Sequence, residues 1–386
     1  VAMTPTWEPP ADVTERVDAL SDLELLHLVG GDGPALRGNL AMAKRYNATP
    51  IVAGRLPARG IEGIAFTDGP RGVVMGRSTA FPVPMARGAA FDPDLEERIG
   101  DAIGVEARAQ GANFFGGVCI NLLRHPAWGR AQETYGEDSH LLGETGAALV
   151  RGAQRHVMAC IKHYACNSME NSRFWVDVKI DEADLRDLYL PHFKRCVDEG
   201  AASVMSAYNK VNGEWCGGHH HLLTEVLKQD WGFEGFVISD FTAGVRGSGL
   251  ACFEAGLDVE MPFGWRFKKL GRALRAGRLE RRAAIGGLQR RRRAPRARRC
   301  DRAGRRGGTG PVRCRARRSH GRRVPEPAAH GARRGWTRGG GVSRPAARKD
   351  PLQRRWPELW PGGRIPRSPP VDCDDGVVRT TAGVRP

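Results

Sequence analysis

The chain has 386 residues and a formal charge of +17, a length that fits two or three ordinary domains or one barrel of roughly 250 residues with extensions. The charge is unevenly spread: residues 281–386 hold 30 of the 60 Lys and Arg and 7 of the 43 Asp and Glu, a net of +23, which leaves residues 1–280 at −6. A chain-wide affinity for nucleic acid is excluded as the simple reading, because the part with globular composition repels phosphate. No apolar run approaches the roughly 18 to 20 residues of a membrane span, and the start of the chain (Val1, Ala2, Met3, Thr4, Pro5) has neither the basic segment nor the apolar core of a secretory signal. The expected compartment is the cytoplasm. Nine cysteines, at 119, 160, 166, 196, 216, 252, 300, 314 and 373, are scattered without a C-x-x-C pair, and they read as small buried thiols.

Residues 1–280 alternate short apolar runs with amphipathic helices. The first run, Ile64 to Phe66, is followed by Asp68. A helix starts at Asp92, a good N-cap, with Pro93 at its first position; Leu95, Ile99 and Ile103 share one face, and Gly111 stops it. The run Gly117 to Asn121 leads to Arg124, and Met158 to Ile161 leads to Lys162 and His163. A second helix starts near Asp181, with an apolar stripe of Leu185, Leu188, Tyr189 and Val197 closed by Gly200. Ser203 to Ser206 precedes Tyr208. A third helix covers Leu222 to Lys228 and ends at Trp231 and Gly232. Phe236 to Ser239 leads to Asp240, and Leu257 to Glu260 is the last run. Strand spacings of about 30 to 55 residues fit repeated βα units. A closed barrel is favoured over an open doubly wound sheet, because ionisable groups at the ends of many successive strands converge only when the sheet closes.

From residue 281 the pattern is lost. Arg, Gly, Pro and Ala make up 69 of the 106 positions, and the 30 basic residues are 29 Arg and one Lys. Segments such as Arg290 to Arg299 and Arg333 to Gly341 have neither a helical stripe nor a strand alternation, so disorder is the expectation. Three readings stand: a solvated tail, an arginine-rich arm for nucleic acid, and an out-of-frame translation of GC-rich DNA, which would yield mainly Arg, Gly, Ala and Pro codons.

The chemistry-bearing residues narrow the function. No G-x-x-x-x-G-K-[ST] loop is present and no G-x-G-x-x-G follows a strand, so no cofactor is expected. His219, His220 and His221 are consecutive in a loop and diverge, without a third ligand at useful spacing, so no metal is expected either. What remains is a set of carboxylates with Arg, Lys, His and Tyr at strand ends. That mixture satisfies the alternating donors and acceptors of a sugar.

Five segments in order make this specific. They are Ile64 to Gly72 (IAFTDGPRG); Asn121 to Pro126 leading to Gly129-Arg130 and Tyr135 to Asp138; Lys162-His163-Tyr164 with Asn167, Glu170 and Arg173; Ser203 to Asn209; and Gly235 to Asp240. Together they resemble the N-terminal barrel domain of glycoside hydrolase family three, the β-glucosidase and β-xylosidase group. The resemblance implies a (β/α)8 TIM-like barrel over residues 1–280, followed by the low-complexity basic tail of 281–386. It implies a retaining glycosidase that releases nonreducing-end β-D-glucose or xylose from a small β-glucoside or oligosaccharide. Asp240 would be the nucleophile; Asp68, Arg124, Lys162, His163 and Tyr208 would hold the sugar hydroxyls; Met205 would line the subsite. Glu133, Glu137, Asp138, Glu170 and Arg173 read as salt-bridge residues around the site.

The sequence departs from the family's pattern in three places. Val74 stands where a second Arg is common, and Phe241 replaces the Trp that usually follows the nucleophile while keeping a stacking face. The third departure concerns the acid/base carboxyl that retaining hydrolysis needs about 5 to 5.5 Å from the nucleophile. In the family's β-glucosidases it resembles a contribution from a second α/β domain, whereas here the pattern stops near Glu280, and Glu326 and Glu358 have no recognisable setting. The expectation is a truncated or frame-shifted chain that hydrolyses ordinary β-glucosides poorly. Two other classes stay open: a noncatalytic carbohydrate-binding remnant, and nucleic-acid binding through the tail. The sequence sets no oligomeric state.

Overall fold

The computed structural model describes residues 11–32 and 48–279. The tail expected over 281–386 lies outside the described residues, as do the cysteines at 300, 314 and 373. Nine strands are described: β1 (Ile51–Ala53), β2 (Ile64–Thr67), β3 (Phe114–Cys119), β4 (Met158–Tyr164), β5 (Asp177–Val178), β6 (Ser203–Ser206), β7 (Lys210–Val211), β8 (Glu214–Trp215) and β9 (Phe236–Ile238). The main sheet runs β1-β2-β3-β4-β6-β9, and β5-β7-β8 form a separate small sheet.

The main sheet closes on itself through the two segments beside its edges. Ile238 bridges Val259, Glu260 bridges Gly30, and Gly31 bridges Ala53 of β1. The seam is hydrogen-bonded, Ser239 N to Val259 O at 2.9 Å, Glu260 N to Val29 O at 2.9 Å and Gly31 N to Glu260 O at 3.2 Å. The result is the expected TIM-like barrel, with eight staves: six strands, the 259–260 segment and the 30–31 segment. The run Leu257 to Glu260 is thus a stave made of single bridges.

One stave runs against the rest. β1 pairs with β2 antiparallel, Ile51 opposite Phe66, whereas every other pair in the main sheet is parallel. Residues 54–63 between them hold only a single 3-10 turn, Pro57–Arg59, too short for the crossover that a parallel pair requires.

Side chains alternate between two cores. Ile64 and Phe66, Phe114, Met158 and Cys160, Met205, and Phe236 and Ile238 form one apolar cluster. Their neighbours Phe115, Ala159, Ile161, Val204 and Val237 join the larger cluster shared with the helices. The first set is the barrel interior, by the period of two along each strand. β3 begins at Phe114, three residues before the expected run. A Cβ at Gly116 would stand 2.3 Å from the Phe66 ring, so the glycine that looks like a break in the sequence is the space Phe66 occupies.

The helix predicted at Asp92 spans Pro93–Ala109, with the Asp92 side chain accepting from Leu95 N at 2.9 Å. Ile99 and Ile103 are buried as expected. The second helix differs from its predicted stripe. Asp181 caps Glu182–Asp184, a π turn follows over Leu185–Tyr189, and Pro191 restarts the helix as Pro191–Asp198. That break rotates the face: Leu185, Leu190, Phe193 and Cys196 are buried, while Leu188 is 43% exposed. The third is a π-helix, His221–Asp230, with Gly232 at φ +62° behind it. A long helix not anticipated, Ser139–Ala153, is capped by Asp138 through Leu141 N at 2.7 Å. The six described cysteines are all free and buried, and burial pushes the thiols up, Cys119 to about 11 and Cys160 to about 12.

Candidate active site

The interior parity of each strand carries one step past the apolar cluster to a polar group. Ile64 and Phe66 are followed by Asp68, Met158 and Cys160 by Lys162, and Phe236 and Ile238 by Asp240. All three therefore emerge at the C-terminal mouth of the barrel, where loops of a parallel barrel converge. Lys162 Nζ donates to Asp68 Oδ1 at 2.6 Å, reaching across β3, which separates β2 from β4.

This pair is strongly biased toward its charged form. Burial alone would raise the Asp68 carboxyl, but the Lys162 charge and hydrogen bond, with the Gly69 N–H, hold it below the ordinary range. Burial likewise pulls the Lys162 ammonium down, and Asp68 outweighs it, leaving Lys162 raised.

His163 is held as a neutral imidazole. Burial and the charges of Arg130, Lys162 and Arg173 depress it well below its usual range. Its tautomer follows from Asn121, whose Nδ2 donates to His163 O at 2.8 Å, so that Oδ1 accepts from His163 N at 2.9 Å and from Nδ1 at 3.0 Å. The proton is assigned to Nδ1, which leaves Nε2 to accept from Arg130 Nη1 at 2.8 Å.

Asp240 sits 3.7 Å from that nitrogen through Oδ2. Its Oδ1 accepts from Phe241 N at 2.7 Å, while Oδ2 is buried with no hydrogen-bond partner among the described residues. Burial raises this carboxyl above the ordinary range, against the opposing pull of Arg130, the Phe241 N–H, Lys162 and Tyr208. The cations expected to keep Asp240 ionised are in place, but they do not fully offset desolvation. Tyr208 donates its hydroxyl to Phe241 O at 2.7 Å, and burial beside Asp240 pushes its phenol far up.

The structure thus brings together Asp68, Lys162, His163, Tyr208 and Asp240. Met205 lies beneath them in the barrel interior cluster, 2% exposed. Arg124 makes no contact with these five among the described residues; it is exposed and its guanidinium lies over the Tyr189 ring at 5.9 Å. The arginine in the cluster is Arg130, forked onto Glu133 at 3.0 and 2.6 Å. Its signal was the Gly129-Arg130 step, which gives no side-chain direction by itself. Arg173, read from the sequence as a salt-bridge residue, is paired with Glu170 at 2.8 Å and stacked 5.0 Å from the Tyr208 ring. Phe241 packs on Phe66 at 4.8 Å and is 8% exposed, so its ring belongs mainly to the barrel interior. Val74 is exposed.

Behind this layer, Arg87 and Glu96 form a doubly bonded pair at 2.9 Å whose side chains are 2% and 3% exposed. Tyr135 donates to Glu96 at 2.6 Å, and Arg87 Nη1 also donates to the carbonyls of Pro70 and Pro82. The Asp68 loop is thereby tied to the helix beneath it.

Residues 38–291 match the model of the glycosyl hydrolase family 3 N-terminal domain. The chain is 40% identical to thermostable β-glucosidase B of Acetivibrio thermocellus over 238 residues, 57% of this chain and 31% of that protein. It is 39% identical to a β-glucosidase of Rhizobium radiobacter over 232 residues, 57% of this chain and 28% of that one. Among solved structures, β-glucosidase 3B from Thermotoga neapolitana in complex with α-D-glucose superposes with a TM-score of 0.66 at 33% identity, covering 72% of this chain and 42% of that one. The chain therefore spans less than a third of the length of these curated relatives. With the closed barrel and the ordered strand-end residues in agreement, the chain belongs to glycosyl hydrolase family 3, to which it contributes the N-terminal domain.

Proposed function

We propose that residues 1–280 form a barrel of the β-glucosidase type that binds a nonreducing-end β-D-glucosyl or xylosyl unit and attacks its anomeric carbon through Asp240. The observation that carries this reading is the convergence on one mouth of the buried Asp240 carboxylate, beside Tyr208, and an Asp68–Lys162 pair, with neutral His163 between Arg130 and Asp240. Asp68 accepts from two vicinal hydroxyls while Lys162 and Arg130 donate, and the Tyr208 oxygen, whose proton goes to Phe241 O, accepts, which matches the alternating polarity of a pyranose. Arg124 gives way to Arg130 in this set. Met205 forms the floor.

In the first step Asp240 Oδ2 forms a bond to C1 as the C1–O bond to the leaving group breaks, giving a glycosyl ester and an alkoxide or phenoxide. Water then hydrolyses the ester and regenerates Asp240. Within the described residues the site's other carboxylates, Asp68 and Glu133, are each bound to a cation and are poorly placed to supply a proton. A leaving group that departs unprotonated needs no acid from these two carboxylates, whereas general acid help is typically worth about 10² to 10⁴ in rate.

The test is turnover of 2,4-dinitrophenyl β-glucoside, with azide added to accept the glycosyl group, alongside trapping by a 2-deoxy-2-fluoro glucosyl fluoride. Glucosyl azide and a fluoroglucosyl adduct on Asp240 support the reading; unchanged turnover in Asp240→Ala overturns it. The tied-up carboxylates also favour a second reading, sugar binding without turnover. It predicts glucose binding with no adduct.

A further inference from the structure

An aromatic strip leads outward from the nucleophile. The Tyr208 ring, beside Asp240, contacts the Phe174 ring at 4.7 Å. Phe174 in turn borders the guanidinium of Arg246, which also lies 5.7 Å from the Trp175 ring and 4.9 Å from the Trp215 ring. Burial falls along this path, from Tyr208 at 7% exposure to Trp175 at 74%.

The small sheet builds the platform. Lys210–Val211 and Glu214–Trp215 form a hairpin around Asn212 and Gly213, both at positive φ, the backbone that an Asn-Gly two-residue turn supplies. That turn sets Trp215 beside Arg246, which follows β9.

Arg246 is a cation without compensation. Among the described residues no carboxylate pairs with it; the one hydrogen bond of its guanidinium is a long one, Nη2 to Phe174 O at 3.4 Å, and its Nε is buried with no acceptor. Arg266 acts on it directly, and Lys210 lies 4.7 Å from the same Trp215 ring. A planar guanidinium held between aromatic faces keeps its donor edge oriented, and that edge matches a carboxylate.

We propose that Arg246, Trp175 and Trp215 form an aglycone platform at the barrel mouth that takes a planar ring carrying a carboxylate, so that the substrate class is the β-glucoside of an aromatic acid. The proposal rests on the reading that glucose occupies the Asp240 site. The ring lies on Trp175 and the carboxylate meets Arg246, while the glucosyl unit enters toward Tyr208.

The full chain is titrated with methyl, phenyl and 4-carboxyphenyl 1-thio-β-D-glucosides, which bind without turning over, at low and at high salt. The carboxyphenyl ligand is expected to bind about tenfold tighter than the phenyl ligand at low salt, with the ratio shrinking at high salt. Arg246→Gln brings the ratio to about one, and Arg246→Lys, which keeps the charge and loses the fork, gives an intermediate value. Trp175 is exposed, so Trp175→Ala folds, and it reduces the advantage of phenyl over methyl by about threefold or more. A ratio near one in the unaltered protein, with all three ligands bound, overturns the Arg246 platform and leaves the glucose site standing. Binding of none of the three overturns the glucose reading and this proposal with it.

Discussion

Lys162 reaches across an intervening strand to place its ammonium 2.6 Å from the Asp68 carboxylate, with its own side chain 2% exposed and that of Asp68 26% exposed. Removing the lysine would leave a carboxylate beside the barrel interior without its cation. Lys162→Met is expected to lose glucose affinity by more than about tenfold. It should also destabilise by less than the about 3–5 kcal/mol of a fully buried broken pair, because Asp68 keeps part of its water. Glucose titration and urea unfolding of the variant measure both. Asp68 is held below its ordinary range in the folded protein, so the stability it contributes is present above the unfolded-chain value near 3.9 and is lost as pH falls through the folded value. In Lys162→Met that acid-side loss should flatten.

Asp240 carries the opposite sign. Its folded carboxyl is raised by burial, so the stability tied to it is full at acid pH and is lost as pH rises through the folded titration. Asp240→Asn keeps the Phe241 N–H contact and removes the ionisation. It should be more stable than the parent by about 1 kcal/mol at neutral pH, roughly 2–4 °C in Tm, and the gap should close toward about pH 4. Thermal unfolding of both proteins across that range decides the sign.

The same carboxyl sets the acid limb of any glycosyl transfer to it. The rate of trapping by a fluorinated glucosyl fluoride should rise with pH through an apparent pKa above the ordinary Asp range. Arg130 pulls that value down, so Arg130→Gln should move the limb to higher pH. An unmoved limb would mean that Arg130 does not share a field with Asp240.

Glu96 neutralises Arg87 in an almost dry setting. Glu96→Gln leaves a buried guanidinium without its carboxylate and should destabilise by about 3–5 kcal/mol, read by denaturant unfolding. Since Arg87 also holds the Pro70 carbonyl, glucose affinity should fall along with stability.

Much of the site was legible because strand alternation is a rigid rule. Once Ile64, Phe66, Met158, Cys160, Phe236 and Ile238 are taken as inward-facing, Asp68, Lys162 and Asp240 must share the mouth. Arg124 and Arg130 could not be told apart in that way. Both lie on the loop after β3, where backbone path, and not periodicity, aims a side chain. Helix phase was lost where it ceases to be constant: the π turn at Leu185–Tyr189 and the restart at Pro191 displaced the buried stripe from Leu188 to Leu190 and Phe193. The reversed direction of β1 was hidden for a related reason, since a run of Ile51, Val52 and Ala53 says nothing about orientation. Arg246 gave no signal, because a lone arginine acquires meaning only from the three rings that surround it.

The barrel's seam joins Gly30 and Gly31 to Glu260, segments more than two hundred residues apart. Contacts of such long sequence separation form late and slowly. During synthesis the staves from β1 to β9 emerge as an open, curling ribbon with unsatisfied edges, and only the arrival of residues 258–261 lets the ends meet. Premature release upstream of that point would leave a strand edge free to pair with neighbouring nascent chains, so ribosome pausing near the end of the barrel bears directly on aggregation.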